Sequence, residues 1–93
     1  MNKQATPKIT VTKQIHDGWK ENSKLIEIGL KPLFHKWQYT YESSKGKVSL
    51  IQFYPRMYGK YCWEIYGYEK IFSDVKRFKT KKEAVARIKA VLL

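Results

Sequence analysis

The chain of 93 residues carries 19 lysines and arginines against 8 acids, a net charge of +11, and one small domain of this size buries a single core with little margin. Hydrophobic residues at 43% and aromatics at 15% exclude a disordered tail. The charge opposes the compact state and asks for an anionic partner such as nucleic acid, an acidic protein or anionic lipid.

Residues 1–7 are polar, contain Pro7 and read as a flexible end before a single domain over 8–93. ITVTKQI at 9–15 sets Ile9, Val11 and Ile15 against polar neighbours and predicts a strand. HDGWKENS at 16–23 reads as a turn. LIEIGL at 25–30 alternates again and, in this reading, pairs with the first strand as a hairpin. A helix across 12–28 is the alternative, with Gly18 and the β-branched residues against it.

Pro32 closes that segment. FHKWQYTYE at 34–42 is a strand with His35, Trp37, Tyr39 and Tyr41 on one face and Lys36, Gln38, Thr40 and Glu42 on the other. SSKGK at 43–47 is a hairpin loop, and VSLIQFY at 48–54 is the return strand. Its alternation slips at Leu50–Ile51 and at Phe53–Tyr54, which predicts burial on both faces or a bulge. PRMYGK at 55–60 is a turn, and YCWEIYGY at 61–68 a further strand. EKIFSDVKRF at 69–78 fits a loop or an edge strand. Over 81–92 a helix follows, with Ala84, Val85, Ile88, Val91 and Leu92 as one apolar stripe. The fold class is α+β: an antiparallel sheet of roughly three to five strands packed on one C-terminal helix.

Little in the chain suits catalysis. Cys62, the one cysteine, excludes an internal disulfide, and with only His16 and His35 beside it a four-ligand Cys/His zinc site is excluded too. Cys62 lies mid-strand between Tyr61 and Trp63, a setting for a packed thiol rather than a nucleophile. The carboxylates are scattered, and no glycine-rich phosphate loop is present. The expectation is a non-enzyme with no catalytic residue, metal or cofactor. No apolar run approaches membrane-spanning length and the N-terminal residues lack a signal-peptide core, so the expected compartment is the cytoplasm, with no membrane partner.

The cations carry more information. KRFKTKKEA at 76–84 places Lys81 and Lys82 in the first turn of the helix, with Lys76, Arg77 and Lys79 just before, although a helix start is its positive end. Thr80 and Glu83 have capping-box spacing there. A phosphate bound at that point would make the placement favourable; solvation of the lysines is the plain alternative. Sixteen of the nineteen cations are lysine, which serves phosphate as a point charge, and only Arg56, Arg77 and Arg87 could read a guanine edge. The expected binding residues are Lys76, Arg77, Lys79, Lys81 and Lys82, with Arg56 and Lys60 as a second contact and Trp37 and Tyr39 as a ring face that could stack bases. Those rings also suit a sheet–helix core or a protein interface.

A strand bearing Trp63, a turn, and then FKTKKEAVARIKAVL resembles the end of the arm-binding domains of phage and transposon integrases, on Phe78, Thr80, Lys81, Glu83 and Ala84. That resemblance implies a three-stranded sheet on one C-terminal helix and the sheet laid in the major groove of DNA. Residues 1–33 have no counterpart in that family. The order of three strands and a lysine-rich helix is also similar to that of double-stranded RNA-binding domains. The expected function is a small non-catalytic nucleic-acid-binding protein with mainly backbone contacts, duplex DNA favoured over RNA. The alternative is a protein-interaction module, such as a phage-encoded inhibitor of an acidic nucleic-acid-processing enzyme.

Overall fold

Alternating residues of the central hairpin set the architecture. The computed structural model describes residues 8–67 and 77–93. The flexible end expected over 1–7, Tyr68, Lys76 and most of the 69–78 segment lie outside the described residues. The strands are β1 (Thr10–Ile15), β2 (Phe34–Ser43), β3 (Gly46–Phe53), β4 (Trp63–Tyr66) and β5 (Arg77–Phe78). The helices are α1 (Trp19–Glu27), α2 (Pro55–Tyr58) and α3 (Lys81–Leu92). All neighbouring strands pair antiparallel, in the order β1-β2-β3-β4-β5. With α3 on one face of this sheet, the fold is α+β.

The apolar stripe of α3 closes the core over the sheet. Ala84, Ile88 and Leu92 recur at helical spacing and are fully buried against Tyr41, Val48, Leu50 and Ile65. Each such Ile or Leu contributes about 1.5–3 kcal/mol by leaving water. Val85, Val91, Tyr39, Trp63 and Phe78 pack around them. The hydroxyl oxygen of Thr80 accepts the N–H of Glu83 at 3.1 Å and so caps the helix start. At its other end the Ser43 hydroxyl donates to the Leu92 carbonyl at 2.7 Å, and the Lys45 ammonium donates to that of Leu93.

The slip at Leu50–Ile51 is burial on both faces. Leu50 faces α3, while Ile51 is buried on the opposite side beside Gln38 and Thr40. The bulge lies instead on β2, between Phe34 and Gln38. The far face is thus less polar in setting than the alternation suggests, and Lys36, within the bulged stretch, extends its ammonium to the Trp37 ring instead. There the backbone N–H of Asp17 donates to the Gln38 side-chain oxygen at 3.3 Å. Burial, with Asp17 and Glu64 nearby, pushes the Tyr66 phenol up to about 12.

Two expectations for residues 16–30 need correction. The segment is not a turn followed by a strand; Trp19–Glu27 is a helix, and β1 pairs with β2 instead of with 25–30. The alternation of LIEIGL is that of a helix end. Leu30 N–H bonds the Leu25 carbonyl at 2.8 Å and Gly29 N–H bonds that of Ile26 at 3.0 Å. With Gly29 at φ 85, this is a Schellman stop, and Pro32 follows it as such stops favour. Asn22, 2% exposed, docks the helix. Its amide nitrogen donates to the Phe34 carbonyl at 2.9 Å and its oxygen accepts the Leu33 N–H at 2.7 Å. The turn expected at 55–60 contains α2, one helical turn opened by Pro55.

Candidate nucleic-acid interface

Ladder register brings rings and lysines together beyond the start of α3. Trp37 pairs with Ile15, and Tyr39 pairs with Lys13 on one side and Leu50 on the other. Tyr39 packs against the core that α3 covers, so this face of β2 is the α3 side. Helix α3 begins level with Tyr39, and Trp37 remains 41% exposed.

Each ring here carries lysine. The ammonium of Lys13 lies 4.7 Å from the Trp37 ring centroid and that of Lys36 lies 5.5 Å from it. Lys81 sits 3.9 Å over Tyr39. Lys79 and Lys60 lie 5.4 and 5.8 Å from the centroid of Tyr61, which is 44% exposed. The negative face of an aromatic ring attracts a cation with about 0.5–1 kcal/mol at exposed sites. The result is a shelf of three rings and five lysines. Lys79 and Lys81, two residues apart, link its Tyr61 and Tyr39 portions.

Of the residues expected from the sequence, Lys60, Lys79, Lys81, Trp37 and Tyr39 meet on this shelf. Lys82 is exposed on the first turn of α3 beside it. Lys76 lies outside the described residues. Arg77 is not on the shelf: it precedes Phe78 and so falls on the far face, where its Nε donates to Glu64 Oε2 at 3.0 Å. Its guanidinium also stacks 3.8 Å over Tyr58. Arg56 is occupied elsewhere as well, donating to the Lys31 carbonyl and, at 2.7 Å, to that of Pro32. Lys13, Lys36 and Tyr61 join the shelf without standing out in the sequence. The signal for Lys13 was its strand register, hidden once β1 was paired with residues 25–30.

The shelf presents ammonium groups and ring faces, and the remaining reactive side chains are occupied elsewhere. Cys62 is buried, and Gln52 Nε2 approaches its sulfur at 4.0 Å. His16 accepts the Gly18 N–H through Nδ1 at 2.8 Å and packs on Phe34 at 4.0 Å. His35 stacks on Tyr54 at 4.2 Å. Burial holds both imidazoles below their ordinary value, with Asp17 opposing the effect at His16. Among the described residues no group of His, Cys, Asp and Glu could hold a metal ion, and no helix is long and apolar enough to cross a membrane.

No protein-family model, curated protein or solved structure matches this chain.

Proposed function

We propose that this protein binds nucleic acid without catalysis, through backbone phosphates gripped by the lysine shelf. The observation that carries the reading is the gathering of Lys13, Lys36, Lys60, Lys79 and Lys81 around three rings. Like charges collected in this way repel one another, and a polyanion removes the repulsion. Lysine contributes point charge without a bidentate fork, so such contacts depend little on base identity. Duplex DNA, favoured by the sequence reading, offers two rows of phosphates; a single strand offers one row and its bases.

Salt dependence tests this. Five phosphates neutralised give a slope of log K against log salt of roughly −4 to −5 on duplex and nearer −3.5 on a single strand. Affinity that stays flat between low and high salt overturns the electrostatic mechanism.

A second reading, a protein-interaction module, draws on one separate observation. Ile26, Ile28, Leu30 and Leu33, on and after α1, are 46%, 71%, 56% and 36% exposed. Purified protein separates the two: a nucleic-acid binder carries nucleic acid with it and raises the ultraviolet absorbance ratio. An interaction module elutes free of nucleic acid and captures one protein.

A further inference from the structure

Resting on the nucleic-acid reading, we infer that the shelf grips a single strand, with unpaired bases stacked on Trp37 and Tyr61. Backbone binding to a duplex needs charge alone; it has no use for exposed flat rings, because duplex bases are already stacked on one another. This shelf exposes 41% of Trp37 and 44% of Tyr61. Neither is the residue that fills the core, a task done by Leu50, Ile65, Ile88 and their neighbours.

The lysines fit the same occupant. Lys13 and Lys36 rest near Trp37, and Lys60 and Lys79 near Tyr61. Each ring therefore comes with two cations within reach of it. A base arriving on the ring displaces an ammonium from the ring face, and the phosphate attached to that base receives it. The exchange replaces a weak exposed cation–π contact with a stacking contact and an ion pair. Strand β3 separates β2 from β4, so the two rings stand at least about 10 Å apart across the sheet. One extended strand can span that separation, and Lys81 over Tyr39 and Lys79 near Tyr61 offer further ammonium groups to its backbone. Stacking uses the π-face that every base has, so the shelf tolerates any sequence.

Fluorescence anisotropy with labelled oligo-dT, oligo-U and a DNA duplex of equal length tests the inference, on the wild type and on Trp37→Leu and Tyr61→Leu. Thermal melts establish that each variant is folded; Tyr61 lies outside the strands, so its variant keeps the test open if Trp37→Leu unfolds. The expected result is tighter binding of oligo-dT than of duplex, with the single-strand to duplex affinity ratio lowered about 10-fold or more by each folded variant. Equal or tighter binding of oligo-U also supports the inference and assigns the strand to RNA. Duplex bound as tightly as either single strand, with the ratio unmoved by the variants, overturns the inference and leaves the nucleic-acid reading standing. No binding of any of the three overturns both.

Discussion

The ammonium of Lys81 lies 3.9 Å from the centroid of the Tyr39 ring, tying the first residue of α3 to the middle of β2. This accounts for a cation at the positive end of a helix. The opposing dipole costs about 0.3–1 kcal/mol and the ring returns about 0.5–1 kcal/mol, so the two nearly cancel. Lys82, exposed next to it, bears the same dipole cost.

Changing Lys81 and Lys82 together to Gln should therefore leave stability within about 1 kcal/mol of the wild type. Affinity for nucleic acid should fall, with the salt slope shallower by up to about two units. Urea denaturation beside a binding titration checks both. A stable fold with undiminished binding would move the site away from the start of α3.

Asn22 makes a sharper stability prediction. Its amide takes both a donor and an acceptor role toward the chain entering β2. Asn22→Ala leaves the Leu33 N–H and the Phe34 carbonyl without that partner, at about 1–3 kcal/mol for each group left dry. The urea midpoint should drop clearly while shelf binding persists in the folded fraction.

Gly29 tests the helix stop. A methyl at Gly29 meets nothing within 4 Å, yet φ is +85 there. Gly29→Ala should cost about 1–2 kcal/mol from backbone strain alone, and Gly29→Asn less. A thermal melt unchanged by the alanine would contradict the Schellman geometry.

Acid sensitivity follows from the histidines. Burial places His16 and His35 below the ordinary 6.5. Below pH 6.5 the unfolded chain takes up protons that the folded chain refuses, so ν for the unfolded state is the larger and stability rises with pH across that window. Stability should be level above about 6.5 and decline on acidification below it. His16→Ala should be less stable at neutral pH, because the Gly18 N–H loses its acceptor, but should show a shallower decline. Denaturation midpoints measured across the range decide it.

Helix α3 and the central strands were legible in the sequence because their patterns extend over many residues. Ala84, Ile88 and Leu92 repeat through three turns, and Tyr39, Tyr41, Val48 and Leu50 keep the strand period. Helix α1 has nine residues, too few for the helical period to stand out from the alternation of LIEIGL. Its meaning lay in Gly29, which reads equally as a turn or a helix stop until the backbone is known. On the shelf, Lys79, Lys81, Trp37 and Tyr39 were visible as charges and rings. Their grouping with Lys13 depends on the β1–β2 register, a long-range property that no local pattern encodes. Arg77 and Arg56 looked like phosphate ligands by charge alone; strand parity and two backbone carbonyls direct them elsewhere.

The Ser43–Leu92 hydrogen bond joins residues 49 apart in the chain, whereas the β2–β3 hairpin turns over Ser44 and Lys45 alone. Closing the short loop is fast; bringing α3 back across the sheet must first overcome the entropy of a much longer one. Helix docking is also the event that carries Lys81 to Tyr39. A chain caught partway through folding already has its full charge, but its lysines are not yet arranged around the rings. Such a chain would offer a polyanion its charge without the ring–lysine arrangement that α3 completes.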